Sequence, residues 1–195
     1  KQGGKRKLLV LEAALLIEEH YDEICDELWY IYTREEIREA RLMESRGYSR
    51  EKVQQIFSSK LKEAEYRKHC SVVIDNNEGL EEMQRTENMK FIGITGGVGA
   101  GKSAVLDYLA TKPGVRVMLA DEIAHELMEP GTDCYEQIRQ AFPEHDIYKE
   151  DGHFDRIKLA KVIFSDGNRR ARMNGIVHPA VKAYVIAEAK RERQE

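Results

Sequence analysis

The stretch Gly96-Gly97-Val98-Gly99-Ala100-Gly101-Lys102-Ser103 lies between an apolar run, Phe91–Thr95, and a helical run, Ala104 to Ala110. Glycines at this density let the backbone curl until successive N–H groups point inward and form a nest for an anion. A helix starting directly behind such a loop adds about half a positive charge at its N-terminus. The spacing G-x-x-x-x-G-K-[ST] places an ammonium and a hydroxyl at the rim of the nest. A strand–loop–helix unit of this kind belongs on a parallel sheet with crossover helices, and this restricts the fold more than any other feature of the chain.

The rest of the sequence agrees. Leu8–Leu11, Leu28–Tyr32, Val72–Ile74, Phe91–Thr95 and Val115–Leu119 read as short buried strands, mostly separated by helical patterns. Leu8-Leu9-Val10-Leu11 has no polar alternation, as expected of a strand covered on both faces. The expected class is α/β, a three-layer fold with a five-stranded parallel sheet. The expected strand order across it is Val115–Leu119, Leu8–Leu11, Phe91–Thr95, Leu28–Tyr32, Val72–Ile74. Residues 1–195 suit one domain.

Composition narrows the partners. With 31 basic and 35 acidic residues the formal net charge is −4, and no basic stretch suggests a nucleic-acid groove. The longest apolar run, Leu8 to Ile17, is interrupted by Glu12 and is too short to span a bilayer. No signal-peptide pattern opens the sequence, so a cytoplasmic protein without a membrane partner is expected. Cys25, Cys70 and Cys134 lack metal-ligand spacing and read as free packing thiols.

Residues 34–70 carry no strand signal and read as a helical hairpin. Gly47 would stop one helix and Ser49 cap the next, with Val53, Ile56, Phe57, Leu61 and Ala64 at helical spacing. Its Arg34, Arg38, Arg41 and Arg46 suggest a lid in which one or two cations reach phosphate and the others form a solvated face.

An anion nest alone does not name a reaction, but other residues complete the needs of phosphoryl transfer. Lys102 would reach the β- and γ-phosphates of a nucleotide, and the Ser103 hydroxyl would ligate Mg²⁺. The backbone cradle would run over Gly97, Val98, Gly99, Ala100, Gly101, Lys102, Ser103 and Ala104. Glu12 ends its strand as a metal-side acid or an ordinary solvated carboxylate. Asp121, just past Val115–Leu119, orients an acceptor hydroxyl, caps a helix over Ile123 to Met128, or does both. There is no Asn-Lys-x-Asp for guanine, and the size suits a small-metabolite kinase using ATP and Mg²⁺.

The ends of the chain invite joining. The sequence opens on a strand and closes on a helix expected from Pro179, in its first turn, to Glu195. Joining Glu195 to Lys1 yields a helix, a glycine stop and a buried strand, an ordinary connection. Met89 then reads as an original start; otherwise it is one methionine among others.

From Met89 onward the residues resemble the dephospho-CoA kinase family. The resemblance rests on Gly93-Ile94-Thr95 leading into the glycine loop, Ala120-Asp121-Glu122-Ile123-Ala124-His125, Glu129-Pro130-Gly131, Asp151-Gly152-His153-Phe154-Asp155-Arg156, Val162-Ile163-Phe164 and Ile176-Val177-His178-Pro179-Ala180-Val181. The second half of the family pattern is similar to the front of this chain: Leu9 to Glu18, Arg41-Leu42, Gly47-Tyr48-Ser49 and Ile74-Asp75-Asn76-Asn77. The resemblance implies a circularly permuted P-loop kinase fold, with a lid at 34–70 and the phosphate loop and acceptor-binding part at 89–195. It implies ATP-dependent phosphorylation of the ribose 3′-hydroxyl of dephospho-CoA, with Lys102, Asp121 and Arg41 at the reaction and Ser103 and Glu12 at Mg²⁺. Another metabolite kinase of this fold, or an engineered permuted scaffold without turnover, stands as the alternative.

The chain departs from the family pattern at Leu119, Glu12, Ala14, Ser45, Lys60 and Ser71. Gly79 to Asn88 must bridge the last strand to Phe91. His178-Pro179 stands either for a substrate-side contact or for a helix start, and Asp155-Arg156 either for an internal ion pair or for an acceptor-site role.

Overall fold

A computed structural model describes residues 8–58, 61–77, 90–144 and 147–194. Met89, Lys60, the bridge from Gly79 to Asn88, and the ends Lys1 and Glu195 lie outside the described residues. The chain divides into two compact units, Lys1–Leu119 with Glu192–Glu195, and Ala120–Arg191.

The first unit is built on five parallel strands, β1 (Leu8–Glu12), β2 (Glu27–Tyr32), β3 (Val72–Asp75), β4 (Lys90–Thr95) and β5 (Val115–Leu119). Their order across the sheet is β3-β2-β4-β1-β5, the order expected from the sequence. Each strand is extended by one residue or matches the apolar run that announced it. β1 sits between β4 and β5, with Glu12 aligned to Ile94 on one side and Leu119 on the other. Leu9, Val10 and Leu11 are almost fully buried, because helices cover both faces of a parallel sheet. The edge strand β3 instead alternates between half-buried and exposed residues.

Helix α4 (Lys102–Ala110) packs Val105, Leu106 and Leu109 against Val10, Ile31, Ile92 and Ile94. Burying side chains of this kind contributes about 1.5–3 kcal/mol each before the cost of ordering the chain, which anchors the base of the glycine loop.

Residues 34–70 fold as three helices rather than the expected two: α1 (Glu35–Arg46), α2 (Arg50–Ser58) and α3 (Glu63–His69). Gly47 ends α1 in the left-handed region, φ 62°, with its N–H on the Met43 carbonyl, as its position predicts. The Ser49 hydroxyl accepts from Lys52 N at 3.3 Å and caps α2. Val53 is buried, but Ala64 is exposed on the separate helix α3, so the expected single apolar stripe breaks after Ser58. Tyr66 of α3 instead stacks parallel on Tyr30 of β2, ring centres 4.7 Å apart.

The second unit comprises α5 (Ala120–Leu127), α6 (Asp133–Ala141), α7 (Arg156–Phe164) and α8 (Gly167–Gln194), of which the last residues belong to the first unit. Between α6 and α7, Asp151-Gly152-His153-Phe154-Asp155 forms a tight reversal. The Asp151 carboxylate accepts from His153 N at 3.0 Å, Gly152 takes φ 86°, and Phe154 packs its ring against Tyr135 and Tyr148. The Asp155 carboxylate caps α7, accepting from the amides of Ile157 and Lys158, both at 3.1 Å. Of the two readings of Asp155-Arg156, the ion pair is not formed among the described residues: the first turn of α7 offers unpaired N–H groups closer at hand than a solvated guanidinium.

The closing helix is corrected as well. α8 starts at Gly167, not Pro179, and Pro179 lies inside it. Asp166 sets the start, its carboxylate accepting from Asn168 N at 2.9 Å. A helix-interior proline loses the N–H aimed at the residue four before and crowds that residue. Here that residue is Gly175, and α8 continues on both sides of the proline. Among the described residues, no helix is long and apolar enough to cross a membrane.

Candidate active site

The glycine loop leaves β4 after Thr95, whose side chain is buried, and enters α4 at Lys102. Gly99 (φ 78°) and Gly101 (φ 80°) take left-handed conformations that other residues adopt only at a cost. Ala100 N bonds to Gly97 O at 3.1 Å, which closes a turn. Among the described residues, no acceptor takes the N–H of Val98, Gly99 or Gly101. These amides are what an anion nest keeps in reserve.

Lys102 folds back over the loop. Its Nζ lies 3.1 Å from Gly96 O and 3.7 Å from the Glu12 carboxylate. Glu12 closes β1, beside β4 in the sheet, so register alone carries its carboxylate to the loop's side of the strand ends. Both side chains are about four-fifths shielded, which strengthens the attraction relative to a surface pair. Ser103 and Ala104 lie in the exposed first turn of α4, and Ala104 N bonds to Gly101 O.

The lid meets the loop through α1. Arg41 donates from Nη2 to Asn76 O at 3.1 Å, while its Nη1 is shielded from solvent and has no hydrogen-bond partner among the described residues. A side chain on Gly101 would meet that Nη1 at 3.1 Å. Arg38 lies against Gly97 and donates to Val98 O at 2.9 Å. Arg34 precedes α1 and Arg46 closes it, both exposed. Two of the four lid arginines thus face the loop.

Three residues hold this arrangement: Thr33, which the sequence did not mark, Asn76, which entered only as part of the resemblance, and Arg38, one of four candidate lid cations. The Thr33 hydroxyl and the Asn76 amide both donate to Ala100 O, at 2.9 and 3.0 Å, and both residues are buried. Thr33 follows β2 and Asn76 follows β3, so each stands at the C-terminal edge where ligands of such sheets bind. That position was the available signal. Arg38, the third, shares a face of α1 with Arg41, three residues on, and differs from it in bonding Val98 O rather than Asn76 O.

Asp121 lies in the first turn of α5, which begins at Ala120 rather than beyond Asp121, and its side chain is exposed. The alternative reading of Asp121 as an N-cap is therefore not met, although a carboxylate in a first turn still suits the helix dipole. His178 lies within α8, half-buried. Among the described residues, no three His, Cys, Asp or Glu side chains gather as a metal site. Glu12 and Ser103 offer hard oxygen donors, the kind a Mg²⁺ ion takes when phosphates and water complete its shell. The unspent loop amides and the unpartnered Arg41 Nη1 fit a bound polyphosphate.

The family model described as dephospho-CoA kinase matches residues 2–82 and 90–195. The dephospho-CoA kinase of Methylococcus capsulatus is 45% identical over 95 residues, covering 49% of this chain and 47% of that protein. The dephospho-CoA kinase of Shouchella clausii is 45% identical over 98 residues, covering 50% and 49%. An uncharacterized fission-yeast protein, C14G10.01 of Schizosaccharomyces pombe, is 34% identical over 100 residues, covering 51% and 42%. The chain spans about half the length of the curated relatives it matches, and no solved structure matches it. With nearly its whole length under one family model and a glycine loop of this geometry, the chain belongs to the dephospho-CoA kinase family.

Proposed function

We propose that this chain transfers the terminal phosphoryl group of ATP to the ribose 3′-hydroxyl of dephospho-CoA, giving CoA and ADP. The observation that carries the reading is the loop Gly96–Ser103 with Lys102 Nζ 3.7 Å from Glu12, under amides left without partners. The cradle Gly97–Ala104 would hold the phosphates through Val98, Gly99 and Gly101 N–H, and Lys102 would bridge the β- and γ-phosphates. Ser103 and Glu12 would hold Mg²⁺, directly or through water; the ion neutralises charge on the transferring group. Arg41, with its unpartnered Nη1 at Gly101, would supply a further cation. Asp121 would orient the acceptor hydroxyl and take its proton as the new O–P bond forms and the bond to ADP breaks.

In this reading residues 1–195 act as one kinase domain, with 34–70 as the lid and 89–195 carrying the loop and the acceptor-binding part. A cytoplasmic enzyme acting on a small molecule, with no nucleic-acid or membrane partner, goes with it. Circular permutation belongs to the same proposal: the family match breaks into two segments at 83–89, and each curated relative aligns over about half its length. A permuted scaffold without turnover is the second reading, favoured by the same break.

The test is ADP release with dephospho-CoA and a panel of other acceptors. Turnover with dephospho-CoA that is lost in Lys102→Ala supports the assignment. Preference for another acceptor moves it to a different metabolite kinase. ATP binding without ADP release leaves the scaffold.

A further inference from the structure

We propose that Arg38 is a positioning residue of the phosphate loop, fixing the Val98–Gly99 peptide so that the Gly99 N–H is aimed at bound phosphate. The inference rests on the nucleotide reading of the loop and adds to it a residue outside the glycine motif.

Arg38 sits one turn into α1. Its Nε donates to Val98 O at 2.9 Å, with the rest of the guanidinium flat against Gly97. A β-carbon on Gly97 would stand 2.4 Å from its Nη2 and 2.5 Å from its Cζ, so the cation occupies the space a side chain would need. Its Cζ is also 4.3 Å from the centre of the Phe57 ring on α2. A guanidinium held over a ring and bonded through Nε has little freedom left, in contrast to a solvated arginine.

The consequence follows from peptide geometry. No described peptide bond is cis. In a planar trans peptide the carbonyl and the next N–H point in opposite directions. With Val98 O drawn toward Arg38, the Gly99 N–H must point away from α1, and no described acceptor takes it. The alternative, a flipped 98–99 peptide, would turn a carbonyl oxygen toward the phosphates. Of the two residues that flank this peptide, Gly99 has no β-carbon to resist such a flip, which leaves Val98 as the loop's own restraint. Arg38 supplies the resistance from outside the loop. The backbone of α1 comes close as well: a β-carbon on Gly99 would lie 2.9 Å from Arg38 O.

The experiment compares ADP and inorganic tripolyphosphate binding by calorimetry in the wild-type chain, Arg38→Met and Arg38→Lys, alongside the Val98 carbonyl and Gly99 amide NMR shifts. Methionine keeps the length without a donor. Lysine keeps the charge without an in-plane Nε–H. Both variants are expected to bind about tenfold more weakly, the effect of one charge-assisted hydrogen bond. The Val98 carbonyl signal should move upfield in both, and the nucleotide-induced shift of the Gly99 amide should shrink. Lysine binding as tightly as wild type would reduce Arg38 to a general positive charge and overturn the proposal. So would an unchanged Val98 carbonyl in a folded variant. If the wild type binds neither probe, the nucleotide reading itself fails; if it binds and both variants match it, only the role of Arg38 fails.

Discussion

Glu12 Oε1 stands 3.7 Å from Lys102 Nζ, joining the end of β1 to the start of α4 across the mouth of the glycine loop. Neither residue is near the other in sequence, and only the parallel neighbours β1 and β4 bring them together. The carboxylate holds the ammonium over the loop, and in the proposed function it is also the strand-end acid that a metal ion would take.

Glu12→Gln separates these roles. The amide keeps the size and one acceptor oxygen but loses the charge. Nucleotide binding without Mg²⁺ should hold or tighten, since Lys102 is released toward phosphate. Mg²⁺-dependent turnover should fall by about 10–100-fold, the usual cost of disturbing a metal's supporting groups. A Mg²⁺ titration of ADP release checks this. Equal losses with and without the metal in the binding step would remove Glu12 from the metal's side.

Gly101→Ala tests the loop conformation. The residue has φ 80°, and its new methyl would stand 2.3 Å from Asn76 Nδ2, a buried amide that itself holds Ala100 O. The left-handed backbone alone costs about 1–2 kcal/mol, and displacing Asn76 adds to it. Urea unfolding should report a loss of at least that size, with phosphate affinity falling in parallel. Gly97→Ala should spare the backbone, because its φ is ordinary, but its methyl would displace the pinned Arg38 guanidinium, so phosphate affinity should fall more than stability.

The two mutations show how differently the parts of this site read from the sequence. The loop, its strand and its helix follow from local rules: apolar runs, glycine density and one spacing. Strand order followed too, with help from family resemblance. Thr33 and Asn76 did not, because a buried hydroxyl or amide becomes legible only once two strand ends are known to meet the same carbonyl. Arg38 was lost among four similar arginines, and a lid cation differs from a solvated one only by the face of α1 it occupies. Pro179 misled for a local reason: proline usually opens a helix, whereas here it lies inside one that Asp166 starts.

Asp155→Ala distinguishes a cap from an acceptor-site group. In the structure its carboxylate takes the Ile157 and Lys158 amides. Losing that cap should cost about 1 kcal/mol, within the 0.5–2 kcal/mol range for such changes. Asp155→Ser, which can still cap, should recover most of it. At saturating substrates the rate per folded molecule should stay near wild type. A rate loss that Asp155→Ser fails to restore would return the residue to the acceptor site.

The three thiols supply a pH prediction whose sign can be worked out. Burial pushes Cys25 up to about 12, with the neighbouring Asp26 adding to the shift, and pushes Cys70 up to about 11; Cys134 is raised by burial as well. At pH 8 the folded thiols are therefore protonated and poor nucleophiles. Between the ordinary thiol range, about 8.5, and these raised values, the unfolded chain has lost protons that the folded chain keeps. The unfolded state then binds fewer protons, so stability falls as pH rises through that window and is fully present below it. Urea midpoints should decline from about pH 9 upward, and the decline should shrink in Cys25→Ala after allowance for its lower starting stability. Native alkylation at pH 8 should be slow at all three thiols and become fast on unfolding. Rapid labelling of Cys70 in the folded protein, where it is buried at 9% exposure, would mean that α3 opens readily from β2.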